Sequence, residues 1–123
     1  MDDIKLNRMM LSRRIKKFIA PNSKITMVET AEKASELCEK QSFDIMICDQ
    51  YLEEAGGVMV GTDFIVAARR NGSNSLIVGC SGNDLSNAFM DAGADMVWGK
   101  PLPKNDEILT QWRSGLTEKQ VLS

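Results

Sequence analysis

The chain has 123 residues, 43% of them hydrophobic and 26% charged, with a formal net charge of −2. That is long enough for one sizeable core, so residues 1–123 are read as a single domain. The charge balance argues against a nucleic-acid-binding surface, no apolar run reaches membrane-spanning length or resembles a signal peptide, and the lack of histidine excludes His-based acid–base chemistry and His metal ligation.

In chain order, Leu11, Ile15, Phe18 and Ile19 recur at helical spacing and predict a first helix from about Lys5 to Ile19, stopped by Pro21-Asn22-Ser23. Lys24–Val28 is a short β-branched run and predicts a strand. Thr30 is placed to cap a second helix that turns Ala31, Ala34, Leu37 and Cys38 inward. Phe43–Cys48 is the strongest strand, mostly apolar as a strand covered on both faces should be. A loop from Gln50 to Gly61 follows, with Gly56-Gly57 and Glu53-Glu54 predicting a mobile, solvent-facing segment beside the strand end. A third helix from about Thr62 to Arg70 ends at Asn71-Gly72. Leu76–Cys80 predicts another buried strand, Asp84–Ala92 a short helix closed by Gly93, and Asp95–Trp98 the last strand. Asn105 or Asp106 caps a final helix through Trp112, with Thr117–Ser123 continuing or fraying. Alternation of this kind predicts a parallel sheet flanked by helices with right-handed crossovers.

Three predicted strands end on chemistry. Asp49 follows one, Ser81 the next, and Lys100 comes between Gly99 and Pro101. In an open α/β sheet the carboxyl ends of parallel strands share one crevice, where ligands bind. With Asp2 and Asp3, three carboxylates, a hydroxyl and an ammonium would converge, the toolkit of a magnesium-assisted aspartyl-phosphate site. The three cysteines, Cys38, Cys48 and Cys80, have no metal-ligand spacing; Cys48 and Cys80 read as small buried hydrophobes, and a reducing, cytoplasmic setting fits them.

From Asp2 to about Trp112 the chain resembles the receiver domain of two-component response regulators. The resemblance rests on DDIKLNRMML at the head of the first helix, FDIMICDQ, LIVGCSGN and GADMVWGKPLP. It implies a flavodoxin-like, doubly wound parallel sheet in the order 2-1-3-4-5. It also implies a phosphoacceptor at Asp49, Mg²⁺ ligands at Asp2, Asp3, Asp49 and the backbone carbonyl of Tyr51, a switch hydroxyl at Ser81 and a phosphate-binding Lys100. The partners it implies are a histidine kinase or a histidine phosphotransfer protein, with no membrane and no nucleic acid. The chain departs from the family's pattern at Val97, where an aromatic residue or histidine is usual, and in a loop after Asp49 that is longer than usual and lacks a proline. The family's first strand, central in that order, is missing or truncated here. Its loss would strand Lys24–Val28 and Phe43–Cys48 without their shared neighbour and favours a homodimer or a strand-swapped assembly. Two other readings stand beside this one. A degenerate receiver would act as an interaction scaffold without phosphorylation. An aspartate-nucleophile phosphohydrolase of the haloacid dehalogenase type would require a second aspartate at position 51, which is Tyr51.

Overall fold

The computed structural model describes residues 5–28, 30–49, 60–81, 86–99 and 102–122, of which 5–7, 81 and 120–122 as backbone. Helix α1 (Lys5–Arg14) runs on into a π-helical turn, Ile15–Ile19, closed by the Ala20 amide donating to the Ile15 carbonyl at 2.8 Å. The wider turn keeps Ile15 and Ile19 both buried, while Phe18 stays exposed. Helices α2 (Ala31–Lys40), α3 (Gly61–Arg70), α4 (Ser86–Ala92) and α5 (Asn105–Leu122) alternate with strands β1 (Ile45–Asp49), β2 (Leu76–Ser81) and β3 (Met96–Gly99).

Local chemistry accounts for the boundaries. The Thr30 hydroxyl accepts from the Lys33 amide at 3.1 Å and caps α2 as its sequence predicts. Helices α3 and α4 are followed by Gly72 and Gly93 at φ of 85° and 118°, a left-handed conformation that glycine adopts without penalty. Helix α5 continues through Gly115 to Leu122, well past Trp112. Gly115 is tolerated there because the helix lies against Leu76; an added Cβ would meet a Leu76 methyl at 2.7 Å.

The strands form one parallel sheet in the order β1-β2-β3, with Ile45 opposite Leu76 and Asp49 opposite Cys80, then Val78 opposite Met96 and Ser81 opposite Gly99. Residues alternate across this sheet, so it is covered on both sides. Cys48 and Ile77 pack with Ala31, Ala34, Phe64, Ile65 and Phe89 on the α2–α3–α4 side. Val78, Cys80 and Trp98 pack with Ile15, Ile19 and Ile108 on the other. This is the doubly wound arrangement expected of the sequence.

One predicted strand does not form. Lys24–Val28 belongs to no strand, although Ile25 packs against the core beneath α1 and α5 and Val28 against the core beneath α2 and α3. Alternation of this kind describes an extended segment in the plane of the sheet. It has strand chemistry and strand position but no adjacent ladder, and a ladder needs two segments. Nor does it close directly on β1: a cavity of about 970 Å³ lies between them, lined by Lys24–Met27 on one side and by Ile45, Ile47 and Asp49 on the other.

Candidate functional site

The register of the sheet brings two of the predicted positions, Asp49 and Ser81, to one edge. Asp49 is the last residue of β1, Ser81 the last of β2, and Gly99, which precedes Lys100, the last of β3. Asp49 lies one residue short of Ser81 in the ladder, and Ser81 faces Gly99. At about 4.8 Å between strands and about 3.3 Å per residue, the Asp49 and Ser81 backbones stand roughly 6 Å apart. Asp49 is 9% exposed, an acid held at the mouth of the sheet with its preceding residue, Cys48, in the core. A carboxylate in that position is stable only beside compensating polar or charged groups. The Ser81 backbone is described, its side chain is not; Asp2, Asp3, Tyr51, Lys100 and the loop from Gln50 to Met59 lie outside the described residues. Among the described residues no cluster of three His, Cys, Asp or Glu side chains forms a metal centre.

The thiol beside Asp49 is inert. Burial pushes Cys48 up to about 11, and burial also raises Cys38. Both, with Cys80, are free thiols. A thiol held protonated neither ligates a hard cation nor competes as nucleophile.

Val97 and Trp98 divide between the two layers. Val97 packs toward the α2–α3–α4 core, whereas Trp98 is buried on the opposite face and donates its indole N–H to the Gln111 Oε1 at 2.7 Å. Neighbours on a strand point to opposite faces, so the tryptophan cannot take the place of a ring at position 97. Instead it joins β3 to α5.

The sequence reading missed two ties that hold the site's supports. Arg69, at the end of α3, donates to the carbonyls of Gly93, Ser73 and Ser75 and to Asp95 Oδ2, all within 2.8–3.0 Å. The same Asp95 oxygen accepts from the Ile77 amide, and Lys119 of α5 reaches Asp95 Oδ1 at 3.0 Å. This network anchors the amino ends of β2 and β3, opposite the Asp49 edge. Arg14 of α1 donates to the Pro103 carbonyl and the Asn105 side chain, fastening the segment that follows Lys100 to the first helix. Neither tie leaves a local signature, because apart from Ser73 and Ser75 the partners lie 18 or more residues apart.

Similarity to known proteins agrees with this geometry. No protein-family model matches the chain. It is 35% identical over 117 residues to the rice (Oryza sativa subsp. japonica) two-component response regulator ORR42, covering 92% of this chain and 83% of the relative. Its fold is similar to the crystal structure of the receiver domain of NtrX from Brucella abortus, with a TM-score of 0.81 at 16% identity over 94% of each chain. The receiver domain of the Francisella response regulator 1452 aligns with a TM-score of 0.76 at 18% identity, over 95% of this chain and 93% of that one. At those identities the structures speak for the fold alone.

Proposed function

The chain belongs to the receiver domains of two-component response regulators, and from that premise we propose that Asp49 is its phosphoacceptor. The observation that carries the reading is the register, with Asp49, Ser81 and Gly99 at consecutive strand ends along one edge. An Asp49 oxygen attacks the phosphorus of a phosphohistidine on a histidine kinase or phosphotransfer protein. The P–N bond breaks, its electron pair returns to the imidazole, and an acyl phosphate forms on Asp49. A carboxylate nucleophile needs no general base to activate it. Ser81 donates its hydroxyl to one phosphoryl oxygen and Lys100 offers a compact cation to another.

Mg²⁺ fits the donor set. Asp2, Asp3, Asp49 and the Tyr51 carbonyl are hard oxygen ligands, the type this ion takes alongside water and phosphate, and a bound ion would offset the repulsion between phosphate and the acidic pocket. Phosphorylation adds a dianion at the strand edge, and the Ser81 and Lys100 segments close on it. The change reaches a protein-binding face formed by α4, β3 and α5. No helix among the described residues is long and apolar enough to cross a membrane, and the free thiols fit a cytoplasmic setting.

The test is intact-mass measurement after incubation with a small acyl or amido phosphodonor. The expected result is one phosphate per chain with Mg²⁺, none after chelation, and none on Asp49→Asn, which keeps the shape but loses the nucleophile. An adduct that persists on Asp49→Asn would place the acceptor elsewhere.

A further inference from the structure

The net charge of −2 conceals a division along the chain. From Ile4 to Val28 there are seven Lys or Arg and no Asp or Glu; of 15 basic and 17 acidic residues in all, the rest of the chain holds eight and 17. Folding gathers the basic stretch into the first helix, its π-helical turn and the segment that follows. Leu11, Ile15 and Ile19, spaced four apart, form the inward stripe and pack with Val78, Trp98 and Ile108. Met9, Arg13 and Lys17, also four apart, lie on the exposed side. Lys16 and Lys24 are exposed as well, and Lys16 donates to the Ser23 carbonyl, which draws Lys24 up beside the end of the helix.

Most of these cations are not used inside the molecule. Arg14 is, being held by Pro103 and Asn105. Among the described residues, Arg13, Lys16, Lys17 and Lys24 make no ion pair. Two uncovered apolar groups stand with them: Phe18, 51% exposed with the Lys17 ammonium 5.3 Å from its ring centre, and Met9, 39% exposed. Neither borders the cavity beside β1. Apolar side chains set among ammonium and guanidinium groups suit a boundary that is anionic at its surface and apolar just beneath.

We propose that this face docks peripherally on an anionic phospholipid surface. Arg13, Lys16, Lys17 and Lys24 meet the headgroups, and Phe18 and Met9 enter the boundary between headgroups and acyl chains. Three features select this occupant. A partner that engulfs a basic helix grips its apolar stripe, and here that stripe is already committed to the core. A nucleic acid that wraps the protein meets its acidic remainder, whereas a flat surface touches the basic face alone; screening over roughly 8 Å at physiological salt hides the far side. A cluster of about four to eight Lys or Arg on a helical face is the size that anionic lipid retains. No described helix is long and apolar enough to cross a membrane, so the contact is reversible and lies at the surface. It is a contact that the family resemblance does not imply, and it stands whether or not Asp49 accepts phosphate.

Vesicles of phosphatidylcholine with about 30% phosphatidylserine, sedimented with the full chain at low ionic strength, should carry it down, and phosphatidylcholine alone should not. Added salt should release it. Each cation removed should weaken partition about five-fold, so the combined variant Arg13→Ala, Lys17→Ala and Lys24→Ala should lose about 100-fold. Phe18→Ala should weaken partition about five-fold without changing its salt dependence, a readout that charge alone would not move. All four substituted side chains are exposed, so helix signal and Tm should hold in every variant. Absence of binding to the anionic vesicles, or equal binding to both kinds, overturns the proposal, as does unchanged affinity in the combined variant or in Phe18→Ala. A DNA duplex that binds the chain more tightly than the anionic vesicles would assign the face to nucleic acid and overturn it too.

Discussion

Gly79 stands in the middle of β2 because Phe89 lies directly over it. A Cβ there would come within 2.4 Å of a ring that is wholly buried and has no room to retreat. Gly79→Ala should therefore cost about 1–3 kcal/mol by overpacking, lowering Tm by roughly 4–10 °C. Gly72→Ala meets nothing within 4 Å and carries only the strain of φ 85°, so a loss of about 1 kcal/mol is expected. Paired thermal melts would show the order, and equal losses would mean that contact with Phe89 is not what constrains Gly79. Cys48 gives a pH dependence of definite sign. Burial raises its thiol in the folded state from 9.0 to about 11. Its contribution is complete below pH 9 and disappears as pH rises through 11, worth on the order of 2–3 kcal/mol across that window. Urea midpoints measured from pH 8 to 11 should fall, and should fall less steeply in Cys48→Ala.

At the scale of elements, caps and cross-ties set where helices stop and what they hold. The Thr30 hydroxyl satisfies the Lys33 amide at the start of α2; Thr30→Ala should lose about 1 kcal/mol, and Thr30→Ser should recover most of it. Arg69 joins the end of α3 to three carbonyls and to Asp95, with its side chain 22% exposed. Lysine keeps the charge but not the fork of donors. Arg69→Lys is expected to lower unfolding free energy by about 2 kcal/mol with an unchanged denaturant slope. Because the network lies at the amino ends of β2 and β3, that variant should still accept phosphate at Asp49 when folded, as mass measurement under native conditions would reveal.

For the whole molecule, any ligand that binds only the folded chain raises its stability by mass action. On the proposed reading, Tm should rise with Mg²⁺, rise further with beryllofluoride as a mimic of the acyl phosphate, and respond to neither in the same way in Asp49→Asn. A Tm that shifts equally in both chains would mean that Asp49 takes no part in binding.

Much of this protein was legible before any coordinates. Apolar runs from Ile45, Leu76 and Met96, the threonine before Ala31 and the glycines after α3 and α4 each encode their element within about ten residues. The alternation of those elements predicts a parallel sheet covered on both faces. Placing Asp49 and Ser81 at strand ends needed only those local boundaries. Tertiary structure decided what depends on distant partners: the register that sets Asp49 against Cys80 and Ser81 against Gly99, the Arg69–Asp95 pair, and the continuation of α5 through a glycine accommodated by Leu76. It also decided the fate of Lys24–Val28, a strand by composition and not by pairing. Strand propensity belongs to a segment, whereas a ladder belongs to two, and the second is found only where the fold puts one alongside.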